Sequence, residues 1–263
     1  MRLAFSSLAC PGWSVQDVAD RAAAYGYEGV ELRLIDGETF EPSMDRAGRE
    51  RVKRAFRDAG QAIVGLGSSV GIASGEDGLA ARIRAWLELA SEWESPLVRV
   101  FGRAPGELDD ETIARAAGVV EDALPHAERL GVAIGLETHD SFARSADVAR
   151  VLARVPSGSF GAIWDTHHPH RMGETPREIW ERIGARLLHV HVKDARRAGD
   201  GEWDLVLLGE GEVECREIVD LLRANGWDRW LAAEWEKKWH PEIAEPEVAL
   251  PQHLAVLRDW TAA

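Results

Sequence analysis

The sequence predicts an α/β protein, a (β/α)8 barrel folded as a single domain over residues 1–263. Three observations carry this prediction. Short apolar runs alternate with longer amphipathic segments along the chain, as strands alternate with helices in α/β proteins. Eight such pairs fit into 263 residues, which is a usual length for this barrel. Acidic and histidine residues follow several of the apolar runs directly. A doubly wound sheet of the same class is the alternative.

The first half of the chain contains four predicted strands, which are short apolar runs over residues 3–8, 29–35, 62–66 and 97–101. Each is followed by an amphipathic segment, and these predict helices over residues 15–25, 45–59, 78–93 and 109–130. Ser14 is a suitable N-cap for the first helix. Gly60 and Gly131 are expected to end the second and the fourth helix.

The second half repeats the scheme, with predicted strands over residues 133–136, 160–164, 187–192 and 230–233. The helices that follow them are predicted over residues 145–154, 176–183, 215–224 and 246–259. Pro176 occupies a first-turn position, where proline is well tolerated. A long polar segment, residues 195–211, separates the seventh strand from its helix and is expected to close over the pocket.

Composition and charge exclude several classes of protein. The formal net charge is −14, so the surface repels phosphate backbones, and no nucleic-acid partner is expected. No apolar run approaches the roughly 20 residues of a membrane span, so no membrane partner is expected either. The two cysteines, Cys10 and Cys215, form neither a disulfide framework nor a metal-finger spacing, which fits a cytoplasmic protein.

Potential metal ligands mark the ends of four consecutive predicted strands. Glu137 closes the fifth strand, Asp165 closes the sixth, His191 lies in the seventh and Glu234 follows the eighth. Because the carboxyl ends of barrel strands meet at one face, these side chains are expected to converge. Carboxylates with one imidazole suit Mn²⁺ first, with Mg²⁺ or Co²⁺ as alternatives, rather than structural zinc. His189 alternates with His191, so only one of the two is expected to face inward.

These ligands suggest proton-transfer chemistry. A bound cation stabilises the negative charge that develops when a proton leaves the carbon beside a carbonyl, so an enediolate becomes accessible. Glu137 and Glu234 would then approach the substrate from opposite sides, one removing a proton and the other returning one. Lys193 and Arg197 add positive charge near the developing oxyanion. Trp13 is a candidate for an apolar wall of the pocket.

On these residues the sequence resembles the sugar phosphate isomerase/epimerase superfamily, the xylose-isomerase-like barrels. The resemblance covers nearly the whole chain and is strongest in the motifs GLETH (135–139), DTHH (165–168), HVHVKD (189–194), LGEGEV (208–213) and EWE (234–236). In the ketose 3-epimerases of that group the metal ligands are a Glu, an Asp, a His and a Glu. The resemblance places them at Glu137, Asp165, His191 and Glu234, with the two glutamates as the acid–base pair.

The resemblance also implies substrate contacts for His168 and Arg197, and similarly for Glu31 and His139. It departs from the related endonuclease branch for abasic DNA, because segments 67–69 and 101–103 lack the histidines of that branch. In the HVHVKD motif Lys193 stands in place of an uncharged residue. In this respect the sequence resembles the inosose and polyol-degradation branches. The acidic segment 209–212 is a poor phosphate site, so substrates without phosphate are favoured.

The sequence thus predicts a divalent-metal-dependent isomerase or epimerase of a sugar, keto-sugar or cyclitol, with a small carbohydrate as substrate. The alternative is a lyase, either a dehydratase or an eliminase, that acts on a keto-sugar, keto-glycoside or inosose through the same proton abstraction. Homo-oligomers, dimers or tetramers, are common among such barrels, and such an assembly is compatible with the prediction.

Overall fold

The computed structural model describes residues 1–262 and contains eight parallel strands that close into a barrel. Each strand lies beside its neighbours in sequence, and the last strand pairs with the first. The strands are β1 (Arg2–Ser6), β2 (Gly29–Leu32), β3 (Ala62–Gly71), β4 (Leu97–Phe101), β5 (Ala133–Glu137), β6 (Phe160–Asp165), β7 (Leu187–Val192) and β8 (Trp230–Ala233). The predicted (β/α)8 barrel is therefore confirmed.

Helices follow the strands, and four of them begin behind side-chain N-caps, which are Ser14, Asp45, Asp109 and Thr175. They are α1 (Val15–Tyr25), α2 (Arg46–Asp58), α3 (Leu79–Glu92), α4 (Asp110–Leu130), α5 (Ser145–Arg154), α6 (His167–Arg171), α7 (Pro176–Ile183), α8 (Cys215–Ala224) and α9 (Pro246–Ala262). Ser14 caps α1 in a capping box with Asp17. Gly131 ends α4 in the left-handed region, with φ of 67°.

The strands are apolar on both faces because helices cover a parallel barrel from outside while side chains fill it from inside. All residues of β2, β4, β6 and β8 are buried. The pairing register places Arg99 of β4 beside Gly135 of β5, and Glu137 beside Ile163 of β6. The carboxyl ends of β4, β5 and β6 are thereby aligned.

The structure divides into two compact units, one formed by residues 1–64 with the chain from Val190 onward, the other by residues 65–189. In the first unit, β1 pairs with both β2 and β8, and Ala4, Trp230 and Ala232 are buried together with Val64. In the second unit, β4 pairs with β3 and β5, and β5 pairs with β6. The assignment of residues 1–263 to a single domain stays a prediction.

Some local features were not predicted. Strand β3 continues to Gly71, five residues beyond the predicted end at 66. Two antiparallel hairpins follow β2 and β7, and they pair Leu34–Ile35 with Glu38–Thr39 and Asp194–Arg197 with Trp203–Val206. The short helix α6 starts directly behind β6. Across residues 1–262, no helix combines the length and the apolar character that crossing a bilayer requires.

Candidate metal centre

Four predicted ligands lie at the carboxyl ends of strands β5 to β8 and are buried. Glu137 and Asp165 are the last residues of β5 and β6, His191 is the penultimate residue of β7, and Glu234 directly follows β8. One ligand atom from each side chain lies within 4.8 Å of those of the other three. The structure therefore brings together the whole predicted ligand set.

The donor set fits a hard divalent cation. Carboxylates this close together and shielded from water repel one another, so they need compensating positive charge. Two of them have a cationic neighbour, since Arg99 Nη1 lies 2.7 Å from Glu137 Oε2 and Lys193 Nζ lies 2.8 Å from Glu234 Oε2. Three carboxylates and one imidazole are ligands that Mg²⁺, Mn²⁺ and related ions accept. These buried residues could hold such an ion.

Asp165 is positioned by the chain that follows it. Its Oδ1 accepts hydrogen bonds from the backbone N–H groups of His167 (2.8 Å) and His168 (3.0 Å), at the start of α6. A short carboxylate side chain at this position satisfies N–H groups that a helix start leaves without helical partners. The same contact explains why a helix of only five residues forms directly behind β6.

His191 is oriented by Glu31, at the end of β2. His191 Nε2 lies 2.8 Å from Glu31 Oε2, and His191 Nδ1 lies 3.6 Å from Glu234 Oε1. A carboxylate that accepts the Nε2–H fixes the tautomer and leaves Nδ1 as the ligand atom. Glu31 was predicted as a substrate contact, and the structure places its buried carboxylate against the imidazole of His191. His189 is buried as well, and Glu31, His189 and His191 form a second group of closely spaced potential ligands.

Lys193 lies between two acidic residues. Its Nζ donates to Glu234 and also to Glu236, and the side chain is only 1% exposed. Two carboxylates beside it compensate for the burial of this cationic side chain. Lys193 was predicted as a site residue, and the structure places it on the carboxylate of a predicted ligand.

Imidazole and aromatic rings stand beside Glu137 at the carboxyl ends of β4, β5 and β6. The ring of His139 lies 4.7 Å from that of Phe101 and 4.1 Å from that of His168, the latter edge-on. His168 in turn stacks on His167. His139 and His168, both predicted to contact substrate, are thus brought together.

Two predicted site residues lie elsewhere. Arg197 is exposed at the end of a hairpin strand, and its backbone N–H donates to Glu212 Oε1 at 3.1 Å. Trp13 packs between helices α1 and α9, since its Nε1 donates to Glu247 Oε1 at 3.2 Å and the guanidinium of Arg21 covers its ring at 4.5 Å. The structure therefore gives neither residue a contact with the four ligands.

Both ends of the predicted closing loop, residues 195–211, are held by hydrogen bonds to Asp194. Asp194 Oδ2 accepts hydrogen bonds from the backbone N–H groups of Gly209 (2.9 Å) and Gly211 (3.0 Å), and Oδ1 accepts from those of Ala195 and Val213. Burial raises the pKa of Asp194, and the four hydrogen bonds oppose that rise. A Cβ at Gly211 would lie 2.0 Å from Asp194 Oδ1, so only glycine fits there. The backbone of the LGEGEV motif therefore binds the Asp194 carboxylate. We call these hydrogen bonds the Asp194 clamp.

Sequence reasoning missed Arg99. Its signal was a charged residue inside the apolar strand Leu97–Phe101. A charge in such a position requires a buried partner of opposite sign, which Glu137 provides.

Comparison with known proteins places the chain in a family. Residues 19–260 match the sequence model of xylose isomerase-like TIM barrels. The chain belongs to the xylose isomerase-like TIM barrel family. Among curated relatives, fructoselysine 3-epimerase of Escherichia coli O157:H7 is 21% identical over 229 residues, which cover 81% of this chain and 82% of that protein. Inosose dehydratase of Lacticaseibacillus casei is 26% identical over 163 residues, or 56% of this chain and 54% of that protein.

Solved structures with the xylose isomerase-like fold superpose over the full chain. The IOLI protein with a bound zinc atom matches with a TM-score of 0.81 and 16% identity, covering 100% of this chain and 98% of that one. D-psicose 3-epimerase, solved in the presence of D-fructose, matches with a TM-score of 0.79 and 14% identity, with both chains covered completely. At these identities the likeness establishes the fold alone.

Proposed function

We propose that this chain is a divalent-metal-dependent isomerase or epimerase of a sugar, keto-sugar or cyclitol. The observation that carries the proposal is the buried group of Glu137, Asp165, His191 and Glu234, whose ligand atoms lie within 4.8 Å of one another. These four residues would hold the ion, with Mn²⁺ as the first candidate and Mg²⁺ or Co²⁺ as alternatives. The proposal includes a cytoplasmic location and a small carbohydrate substrate.

When bound, the cation would stabilise negative charge on the substrate oxygens beside the reacting carbon. Glu137 and Glu234 are the groups that would move the proton, one removing it and the other delivering it. Each has a cation on one oxygen, Arg99 on Glu137 Oε2 and Lys193 on Glu234 Oε2, and these contacts fix the orientation of both carboxylates. A carboxylate that is held in one orientation is already positioned for proton transfer and is therefore a more effective base.

His168 and His139 are proposed as substrate contacts. Their rings lie edge to face with centres 4.1 Å apart, and in sequence His168 is three residues beyond Asp165 and His139 two beyond Glu137. Imidazoles at this position can donate or accept hydrogen bonds to sugar hydroxyls. Lys193 would act on the substrate through Glu234 rather than directly, because its Nζ already donates to the carboxylates of Glu234 and Glu236.

The comparison with fructoselysine 3-epimerase, which covers four-fifths of both chains, supports an epimerase. A second candidate, a dehydratase of a keto-sugar or inosose, is supported by several curated inosose dehydratases at 25–30% identity. This chain spans only about half or less of those proteins. Both reactions begin with the same proton abstraction, so the four ligands support either one.

The test is incubation of the Mn²⁺-loaded protein with a panel of ketoses and inososes in D₂O, followed by NMR. The proposal expects deuterium at the carbon beside the carbonyl, together with an epimer or isomer. An unsaturated product without an epimer would select the dehydratase. Glu137→Gln and Glu234→Gln should each abolish exchange, whereas Glu41→Gln, an exposed matched control, should retain it. Absence of exchange and of product across the panel would count against both candidates.

A further inference from the structure

The loops behind β4 and β5 hold two residues in an uncommon backbone conformation. Arg103 has φ of 54° and Asp140 has φ of 41°, in the left-handed region that most side chains avoid. The two are bonded to each other, since the Arg103 backbone N–H donates to Asp140 Oδ1 at 3.0 Å. The next residues are linked as well, because Ala104 N–H donates to Ser141 Oγ at 2.8 Å. Strained backbone held in place this firmly is often found at functional sites.

In this backbone conformation the Arg103 side chain packs against Gly71, Phe101 and Ser69. Its stem lies against Gly71, where an added Cβ would come within 2.6 Å of Arg103 Cβ. Its guanidinium carbon lies 4.8 Å from the centre of the Phe101 ring, and Nη1 donates to the Ser69 carbonyl at 3.2 Å. That is the single hydrogen bond its guanidinium makes to residues 1–262, and the side chain is 47% exposed. Nε faces the Asp140 carboxylate, and the Nη2 N–H groups are left to bind a ligand.

His139 completes the arrangement on the other side of Asp140. Its ring contacts Phe101 at 4.7 Å, and its Nδ1 lies 3.6 Å from Asp140 Oδ2. Asp140 Oδ1 accepts from the backbone N–H groups of Arg103 and Ser141, and Asp140 Oδ2 lies 3.8 Å from Arg103 Nε, so this ion pair engages the Nε edge of the guanidinium. Burial alone would raise the pKa of Asp140, but its hydrogen bonds from His139, Arg103 and Ser141 outweigh burial and keep the pKa low.

Phe101 relates this pair to the proposed reaction site. The guanidinium of Arg99, which binds Glu137, lies 4.0 Å from the Phe101 ring, and the guanidinium of Arg103 lies against the same ring. Arg103 is thus one aromatic ring away from the arginine that holds the proposed base.

We infer that the substrate carries an anionic group, a carboxylate or a phosphate, which Arg103 and His139 bind at the carboxyl ends of β4 and β5. This inference rests on the proposed function and adds a substrate class to it. Arginine presents a planar fork of N–H donors that matches both anions, and an imidazole N–H adds a further donor. Neutral sugars would leave these donors to water.

Three ketoses that differ only at carbon 6 test the inference: D-fructose, D-fructose 6-phosphate and D-fructuronate. Their binding to the Mn²⁺-loaded protein is measured by titration calorimetry. At least one of the two anions should bind about tenfold more tightly than D-fructose, as expected for a charged bidentate contact. The tighter of the two anions distinguishes phosphate from carboxylate.

The decisive variant is Arg103→Met, which keeps the stem and the Cβ and therefore the backbone conformation. It should reduce the affinity for both anions to that for D-fructose and leave D-fructose binding unchanged. Arg171→Met, which removes an exposed arginine from the same unit, should retain the anion preference. Equal affinities for the three ketoses in the wild type, an equal loss of all three in Arg103→Met, or no binding at all would overturn the inference.

Failure of the proposed function is recognised separately. Mn²⁺ binding is followed by electron paramagnetic resonance, and Arg103→Met should leave it unchanged. If the protein bound no Mn²⁺, the proposed function would fail, and titration with inorganic phosphate would still test the Arg103 site. Loss of phosphate binding in Arg103→Met but not in Arg171→Met would support the anion site without reference to catalysis.

Discussion

Arg99 of β4 and Glu137 of β5 form a fully buried ion pair, in which Nη1 lies 2.7 Å from Oε2 and the side chains are 3% and 0% exposed. The pairing register places these strands side by side, so the contact follows from the alignment of Arg99 with Gly135. Each charge depends on the other because neither has access to water.

Removing Arg99 should therefore destabilise the protein strongly. We expect Arg99→Met to lower the free energy of unfolding of the metal-free protein by about 3–5 kcal/mol, since it removes the cation that lies on the buried carboxylate of Glu137. Urea denaturation measures the change. The double variant Arg99→Met with Glu137→Gln should recover much of the loss. A single variant within about 0.5 kcal/mol of the wild type, as is usual for surface substitutions, would show that Glu137 does not depend on Arg99.

Glu31 should control metal affinity without binding the ion. Glu31→Gln replaces the carboxylate that accepts from His191 Nε2, and it is expected to weaken Mn²⁺ binding by about 10- to 100-fold. Electron paramagnetic resonance measures the dissociation constant, and circular dichroism verifies the fold. Glu41→Gln, which changes an exposed glutamate, should bind Mn²⁺ like the wild type. If Glu31→Gln bound Mn²⁺ with unchanged affinity, Glu31 would have no influence on the metal centre.

Asp194 should hold the base of the segment 195–211. Asp194→Ala removes the acceptor of four backbone N–H groups, and we expect a loss of stability of about 2 kcal/mol or more. Hydrogen exchange of Gly209, Gly211 and Val213 should accelerate in the same variant. Asp204→Ala, an exposed substitution in the adjacent hairpin, serves as the control and should have neither effect. Unchanged exchange in Asp194→Ala would contradict the clamp.

His253 should make stability depend on pH. Burial lowers the pKa of this histidine from 6.5 to about 4, and its Nδ1 donates to the Ala249 carbonyl at 2.5 Å. The unfolded chain then binds a proton that the folded protein does not, so stability is complete above pH 6.5 and falls between 6.5 and 4. The loss reaches up to about 3 kcal/mol by the linkage relation.

The variant His253→Asn keeps a donor for the Ala249 carbonyl but does not titrate in this range. Its free energy of unfolding, measured in urea at pH 5 and pH 7.5, should decline less with acidity than that of the wild type. His240→Asn removes a histidine whose side chain is 42% exposed and should decline like the wild type. Parallel declines in all three proteins would exclude His253 as the source.

The architecture followed from the sequence because each barrel strand is a short apolar run between helix caps and glycines. The four proposed ligands were also found from the sequence, since each interrupts or directly follows an apolar strand, where a charge without a function is costly. The partners of these ligands were harder to predict. Glu31 was recognised as a site residue, but its contact with His191 joins positions 160 residues apart.

Other features depend on contacts that no local pattern encodes. Helix α6 has five residues and no amphipathic repeat, and it forms because Asp165 accepts the N–H groups at its start. The hairpin between Asp194 and Val206 lies in a polar segment without strand alternation, and the clamp at Asp194 holds its base. Trp13 was a candidate for the pocket wall because it follows β1, and its contacts with Arg21 and Glu247 join it to helices that no local pattern relates to it.

The most direct test of the account is the stoichiometry and affinity of Mn²⁺ binding, measured by electron paramagnetic resonance on protein freed of metal with a chelator. The account predicts one high-affinity ion per chain, and at least about tenfold weaker binding in each of Glu137→Gln, Asp165→Asn, His191→Gln and Glu234→Gln. Glu41→Gln should bind like the wild type. Wild-type protein that takes up no Mn²⁺, Mg²⁺ or Co²⁺, or four ligand variants that all bind normally, would contradict it.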